Sequence, residues 1–177
     1  VAHGWSPEAK DMLQSGTIDH INGMAYDGTL FERVSFRKSP HNSYITFDHI
    51  LEGAELNGYD MTAKTESLPF LNESDITAMT GTEADTVTIR YLDRYNVTYQ
   101  YDPATETYSR FNGDDQTIDY ETGTEIALDN VFIVEAMHRV IDSAGRREID
   151  LTTGGDALLL QKGIVQWVQW KNDDGRI

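Results

Sequence analysis

The chain has 177 residues, 39% of them hydrophobic and 25% charged, which is enough for one domain or two small ones with a packed core and argues against disorder. Acidic residues outnumber basic ones 30 to 14, so the formal charge is −16, and an acidic surface disfavours nucleic acid as a partner. Cysteine is absent, which excludes disulfides and cysteine-based zinc sites.

The sequence contains no apolar run long enough to span a bilayer and no signal peptide. It starts at Val1 and ends at Asp173-Asp174-Gly175-Arg176-Ile177, where Asp-Gly is typical of a hairpin turn that enters another strand. We therefore expect both ends to be cuts, with any export signal upstream.

The first predicted elements are a helix and a strand. Ser6-Pro7-Glu8 predicts the start of a helix, because serine can cap it, proline suits the first turn and glutamate complements the dipole; Gly16 is the predicted end. Period-two alternation from Leu30 to Lys38 predicts a strand, with Leu30, Val34 and Phe36 on one face. Arg33 and Arg37 would then share the other face, roughly 13 Å apart.

A second helix is predicted after Pro40, which would end the strand. Helical spacing is shown by Tyr44, Phe47, Ile50 and Leu51. Gly53 is the predicted stop. From Glu55 to Thr82 the pattern is mostly that of loop, with short elements around Leu68–Phe70.

Beyond residue 85 the hydrophobic period changes to two, with turn signals between the runs, among them a tight turn near Asp93-Arg94. Strands are predicted over 86–91, 97–101, Thr107–Phe111, Asn130–Val140, Arg147–Leu151, Ala157–Lys162 and Ile164–Lys171. Trp167 and Trp170 are three positions apart and would face opposite sides of the last strand. At least one of them should therefore be exposed.

These elements predict an α+β protein in two parts. Residues 1–80 are interpreted as a truncated α/β portion, the C-terminal part of an α/β domain. Residues 81–177 are interpreted as a mainly antiparallel β-sheet domain that is cut before its last strand.

Positive charge gathers in one segment of the first part. Arg33, Arg37 and Lys38 are three of the five basic residues among positions 1–80, and they lead into a turn that contains His41 and Asn42. Guanidinium groups make bidentate, charge-assisted bonds, so this segment could cradle a carboxylate or phosphate. The candidate ligand-binding set is Arg33, Arg37, His41, Asn42, His3 and Ser6.

Two alternatives to this site stay open. In the structural one, the arginines pair with Glu32, Asp27 or Asp48, and His41-Asn42 ties the loop to the backbone. In the catalytic one, His41 acts as base or acid beside a serine and a carboxylate; the candidates are Ser6, Ser39, Ser43 and Asp48. No nucleophile-elbow motif is present, and we assign no catalytic residues.

Two further sites have weaker patterns. Asp114, Asp115 and Asp119 lie in an acidic loop that could supply oxygen ligands to calcium, although the EF-hand pattern is not met and no metal is assigned. In the β part, Tyr99 and Tyr101 are expected to lie in the core or to be half-buried. Tyr108 together with an exposed tryptophan could stack on a sugar ring, or could pack in the core.

Several motifs, in their order along the chain, resemble those of the YerB-like lipoproteins, a bacterial family without an assigned activity. They are His3-Gly4-Trp5-Ser6-Pro7-Glu8-Ala9, Ile21-Asn22-Gly23, the run from Arg33 to Tyr44, Val97-x-Tyr99-x-Tyr101-Asp102, Tyr108-Ser109-Arg110 and Asn130-Val131-Phe132-Ile133-Val134. The resemblance implies a two-domain extracytoplasmic lipoprotein, anchored to the cell membrane through a lipidated cysteine outside this chain. It transfers no catalytic residues.

The functional hypothesis is a non-catalytic binding or scaffold module at the cell envelope, without a cofactor. Its expected partner is a small anionic ligand or an envelope protein, with no nucleic acid, and with membrane attachment only through the lipid anchor. The alternative hypothesis is a hydrolase that acts on an envelope component with His41 as acid or base.

Overall fold

The computed structural model describes residues 1–64, 67, 70–92 and 95–173, and for Thr77 its backbone only. The chain divides into two compact units, Val1–Pro69 and Phe70–Ile177, whereas the sequence interpretation set the boundary near residue 80. Short helices and antiparallel strands confirm the α+β class. Among the helices so described, none is long and apolar enough to cross a membrane.

The described residues of unit 1 form two helices and one hairpin: α1 (Pro7–Gln14), β1 (Phe31–Arg33), β2 (Ser43–Ile45) and α2 (Phe47–Leu56). The predicted start of α1 is confirmed, since Ser6 Oγ accepts a hydrogen bond of 3.2 Å from the Ala9 amide. Its end agrees as well, because Gly16 follows the helix with φ at +73°.

The core of unit 1 forms where β1 meets α2. Ile21, Leu30 and Phe31 are buried, and Tyr26, Ile45 and Ile50 pack against them. Burial of the adjacent Leu30 and Phe31 shows that the predicted alternation over Leu30–Lys38 is wrong. β1 ends at Arg33 because its antiparallel partner β2 is only three residues long, and Phe36 is 54% exposed.

The second helix also differs from the prediction. Thr46 caps it, accepting a hydrogen bond from the His49 amide, so α2 begins at Phe47 and Tyr44 belongs to β2. Gly53 does not end the helix. A Cβ on Gly53 would lie 2.8 Å from Ile21 Cδ1, so this glycine provides space for the core rather than a stop signal.

Unit 2 begins with α3 (Glu73–Thr77), which an Asn72–Asp75 capping box starts. The sequence predicts short elements around Leu68–Phe70, but Leu68 and Pro69 lie outside the described residues. The predicted turn at Asp93-Arg94 lies outside them as well. The strands that follow are β3 (Thr82–Glu83), β4 (Thr86–Leu92), β5 (Tyr95–Asp102), β6 (Thr107–Asn112), β7 (Asp115–Gln116), β8 (Ala127–Leu128), β9 (Asn130–Val134), β10 (His138–Val140), β11 (Arg147–Ile149), β12 (Gly155–Gln161) and β13 (Ile164–Trp170).

These strands form two sheets and a separate hairpin. One sheet has the order β3-β13-β12-β9, the other runs β4-β5-β6-β7 with β8 paired to β6, and β10 pairs with β11. The described strand pairs are antiparallel, as predicted. The predicted strand Asn130–Val140 is wrong as one element, because residues 135–137 leave the sheet between β9 and β10.

Both sheets contribute to one core. Tyr108, Val131 and Leu160 are buried, and the half-buried side chains packed on them are Val87, Tyr99, Tyr101, Leu128, Ile133, Leu158 and Val165. The prediction for Tyr99 and Tyr101 is thus confirmed. Tyr108 is fully buried and cannot stack on a sugar, so that hypothesis was wrong.

The two tryptophans of β13 differ in exposure. Trp167 is 75% exposed and Trp170 is 4% exposed, as their spacing predicted.

Candidate functional site

Arg33 lies at the centre of a polar network in unit 1. Its Nε donates to Asp27 Oδ1 and Oδ2 at 3.1 and 2.9 Å, and its Nη2 donates to Asp27 Oδ2 at 2.8 Å. This fork-like pairing matches the guanidinium to one carboxylate, which is the structural alternative left open by the sequence. Both side chains are more than a third exposed, so the ion pair itself contributes at most about 1 kcal/mol.

Asn42 connects Arg33 to the backbone of the following loop. Its Oδ1 accepts from Arg33 Nη1 at 3.0 Å, and its Nδ2 donates to the Val34 carbonyl at 3.1 Å. The Val34 amide in turn donates to the Asn42 carbonyl at 2.8 Å. The two ends of the loop 34–42 are therefore held together, directly beyond the β1–β2 pair.

His3 approaches the same arginine from the start of the chain. Its Nε2 lies 3.5 Å from Arg33 Nη2, and its ring meets Phe31 edge-on with the centroids 5.5 Å apart. The Ala2 amide donates to the Ile21 carbonyl and the Gly23 amide to the Ala2 carbonyl, which fixes this segment. A Cβ on Gly23 would lie 2.7 Å from His3 Cγ, so glycine is needed for the approach. We call His3, Asp27, Arg33 and Asn42 the Arg33 network.

The remaining candidate residues lie apart from this network. Ser6 caps α1 with its hydroxyl. Because β1 ends at Arg33, Arg37 does not share a strand face with it, and its guanidinium carbon instead lies 6.0 Å from the centroid of the Phe36 ring. His41 is exposed, and its amide donates to the Lys38 carbonyl at 3.0 Å next to the cis Ser39-Pro40 bond.

The catalytic alternative requires His41 to meet a hydroxyl and a carboxylate. Within the described ranges, no hydrogen bond joins the His41 side chain to another residue. The Ser6 hydroxyl is used in the helix cap. Ser43 Oγ is buried and has no hydrogen-bond partner among the described residues. Among the described residues, the surroundings of His41 therefore show no assembled nucleophile and base of the kind that catalysis needs.

The acidic loop in unit 2 is arranged as a turn. Asp119 Oδ1 accepts hydrogen bonds from the Thr122 amide and hydroxyl at 2.8 and 2.7 Å, and these bonds lower the pKa of Asp119. Over the residues whose positions are described, no three histidine or acidic side chains come together in a way that could hold a metal ion. The calcium hypothesis for Asp114, Asp115 and Asp119 thus gains no support.

Sequence reasoning missed a cavity of about 540 Å³ at the end of the β4–β5 hairpin. It is lined by Tyr91, Tyr95, Asn96, Val97, Asn112 and Gly113. The available signal was the pair of tyrosines, Tyr91 and Tyr95, on either side of the turn that the sequence predicts.

Comparison with known proteins gives consistent results for both parts of the chain. The family described as protein of unknown function DUF3048 matches through its N-terminal domain over residues 1–60 and through its C-terminal domain over residues 87–177. The chain is 46% identical over 181 residues to "Putative lipoprotein YerB" of Bacillus subtilis (strain 168), an alignment that covers 100% of this chain and 54% of that protein.

The fold is similar to that in the crystal structure of the YerB protein from Bacillus subtilis. The TM-score is 0.84 at 42% identity, covering 99% of this chain and 58% of the solved one. The chain thus spans between half and two thirds of the length of the relatives it matches. With both domain matches and this level of identity, the chain belongs to the DUF3048 family of YerB-like proteins.

Proposed function

We propose that this protein is a non-catalytic binding or scaffold module that acts at the cell envelope, outside the cytoplasm. The location is supported by the name of its relative, a lipoprotein. The binding role is supported by the shape of the loop 34–42, whose ends the Arg33 network holds together.

The single observation that carries the proposal is a division of roles: Arg33 is engaged inside the Arg33 network, whereas other side chains of the loop 34–42 are exposed. Asp27 and Asn42 engage the Arg33 guanidinium, so it serves to hold the loop. Outside this network, the loop presents His41, Phe36 and Arg37, whose guanidinium carbon lies 6.0 Å from the centroid of the Phe36 ring. The Phe36 ring lies 6.0 Å from that of Tyr44 on β2.

This surface fits a protein partner better than a small anion. Aromatic and arginine side chains are the groups that contribute most at protein interfaces. A small anion would need convergent donors, and the Asp27 carboxylate already takes two nitrogens of Arg33. The proposed partner is therefore an envelope protein that contacts Phe36, Arg37 and His41.

Site-specific photocrosslinking in living cells tests the proposal. A photoreactive amino acid in place of His41, in the full-length protein with its native export signal, should yield one defined crosslinked envelope protein. The same amino acid at Met12, which is exposed on α1, is the matched control. Adding Phe36→Ala should remove the crosslink at position 41.

Two results would contradict the proposal. One is a crosslinking pattern at position 41 that equals the pattern at position 12. The other is hydrolysis of purified cell-wall material by the full-length protein that His41→Ala abolishes while the variant keeps the parent melting temperature. The second result would establish the hydrolase alternative instead.

A further inference from the structure

The helix α2 and the segment that precedes β1 line a second cavity, in unit 1. Its volume is about 350 Å³, which falls within the range of small-molecule sites. One face of α2 supplies His49, Glu52 and Leu56, which are spaced three and four residues apart. The described residues that complete the lining are Tyr26, Thr29 and Leu30. None of these residues belongs to the loop 34–42, on which the proposed function rests.

The side-chain donors in this described lining already have acceptors in the protein. Thr29 Oγ1 donates to the Tyr26 carbonyl at 2.9 Å. The Tyr26 hydroxyl faces the side-chain amide of Asn57, donating to Oδ1 at 3.5 Å and accepting from Nδ2 at 3.2 Å. His49 Nδ1 lies 2.9 Å from the Leu30 carbonyl oxygen. Because a carbonyl oxygen only accepts, the proton of the neutral imidazole is on Nδ1.

Two strong acceptors of the lining, by contrast, are not used. With its proton on Nδ1, the neutral His49 ring has a lone pair on Nε2, and Nε2 makes no hydrogen bond within the described ranges. The bond to Leu30 holds this half-buried ring in place. The Glu52 carboxylate has neither a hydrogen bond nor an ion pair to another described residue. The two acceptors lie about one turn apart on the same face of α2.

This pattern of donors and acceptors defines the ligand. A cavity whose donors are used and whose acceptors are not is complementary to a group that only donates. An alkylammonium is such a group, because it has three N–H donors, a positive charge and no acceptor. The formal charge of −16 attracts cations, whereas an anion would meet the Glu52 carboxylate. Leu56 is 62% exposed and offers an apolar wall to an alkyl chain.

We propose that the cavity lined by Tyr26, His49, Glu52 and Leu56 binds a primary ammonium group carried on an alkyl chain. The Glu52 carboxylate balances the charge and accepts from the ammonium, and His49 Nε2 accepts a second N–H. The alkyl chain lies on Leu56. Either a free alkylamine or the lysine side chain of a peptide can supply this chemistry.

An NMR titration of the complete 177-residue chain tests the proposal. The probe is n-pentylamine at about pH 8, where an amine with a pKa of about 10.4 is protonated, in about 0.15 M salt to screen diffuse attraction. Its binding should shift the His49 Nε2 resonance and the amides of α2, with millimolar affinity. Two controls should bind at least about tenfold more weakly: 1-pentanol, which lacks the charge, and tetramethylammonium, which lacks N–H donors.

Matched variants assign the two acceptors. Glu52→Gln should weaken n-pentylamine binding by about threefold to tenfold. Glu55→Gln makes the same change of charge on α2 but outside the described lining, and it should leave the affinity within about twofold of the parent. His49→Asn keeps an amide donor for the Leu30 carbonyl but removes Nε2. It should retain the parent melting temperature and still weaken binding by about threefold or more.

A peptide arm distinguishes the two sources of the ammonium group. Tighter binding of N-acetyl-glycyl-lysyl-glycinamide than of n-pentylamine would identify a lysine side chain as the ligand, and weaker binding would identify a free alkylamine. The inference fails if neither compound shifts α2 at about 50 mM, where millimolar affinity is detected. It also fails if Glu52→Gln and His49→Asn both bind as tightly as the parent, or if either control binds as tightly as n-pentylamine.

Discussion

Replacing Gly163 with alanine should destabilise unit 2 strongly. Gly163 lies in the β12–β13 turn with φ at +75°, after Lys162 at +49°. Two consecutive positive φ angles are those of a type I′ hairpin turn, in which glycine at the second position avoids strain. A Cβ at this glycine would also lie 2.6 and 2.7 Å from two ring carbons of Tyr101.

Two effects combine in the expected magnitude. Left-handed backbone at alanine costs about 1–2 kcal/mol. Overpacking against a half-buried ring that packs on the core cluster costs about 1–3 kcal/mol more. The predicted loss in the free energy of unfolding is therefore about 2–5 kcal/mol, a large part of the stability of an ordinary domain.

Urea unfolding followed by tryptophan fluorescence measures this loss. All variants would carry Trp5→Phe, so that Trp167 and Trp170 on β13 report on unit 2. Gly113→Ala is the matched control, since its φ is +58° and no atom lies within 4 Å of the added Cβ; it should cost about 1–2 kcal/mol from strain alone.

The Tyr101→Ala background tests the clash directly. There Gly163→Ala should cost only the strain energy, so the double-mutant cycle should give a coupling of about 1–3 kcal/mol. Equal costs for Gly163→Ala and Gly113→Ala, with no coupling to Tyr101, would refute the reasoning.

The other predictions concern local features. Asn42→Ala removes hydrogen bonds to Arg33 and Val34 and should destabilise unit 1 by about 1–2 kcal/mol, with faster proteolysis in the loop 34–42; unchanged cleavage would contradict this. Ser6→Ala should speed amide exchange in α1 by loss of its cap, measured by mass spectrometry, and no change would show that the cap is not needed. Thr152 hydrogen bonds lower the pKa of Asp150, so the stability that they provide exists above its ordinary pKa and is lost as pH falls through the lowered one. The melting temperature should thus fall less in Asp150→Asn than in the parent between about pH 5 and pH 2, and an equal fall would count against that linkage.

Local signals in the sequence were sufficient for several elements. Ser6 and Pro7 determine where α1 begins, because the cap involves residues three positions apart. In unit 2, alternation and turn residues identified β12 and β13, since a hairpin pairs residues that are near in sequence. That the two tryptophans of β13 face opposite sides of the sheet followed from the two-residue period of a strand alone.

The errors arose where distant residues decide the structure. The length of β1 depends on β2 and on the Val34–Asn42 backbone hydrogen bond, which local alternation does not encode. Gly53 has the composition of a helix stop, but its contact with Ile21 makes it part of the core. Of the candidate site residues, His3, Arg33 and Asn42 come together. The sequence could not select the acidic partner of Arg33, because Asp27 was only one of three candidates.

The Arg33 network has a consequence for how the loop 34–42 could bind. A loop whose ends are fixed by Asn42 and by the Val34 amide loses less conformational entropy on binding than a mobile one. If a partner contacts Phe36 and His41, Asn42→Ala should weaken that complex even though Asn42 lies outside the contact. The weakening should appear mainly as a slower association rate, because fewer encounters meet the loop in its binding conformation. A partner bound equally fast by both proteins would show that the network stabilises unit 1 without preparing the loop.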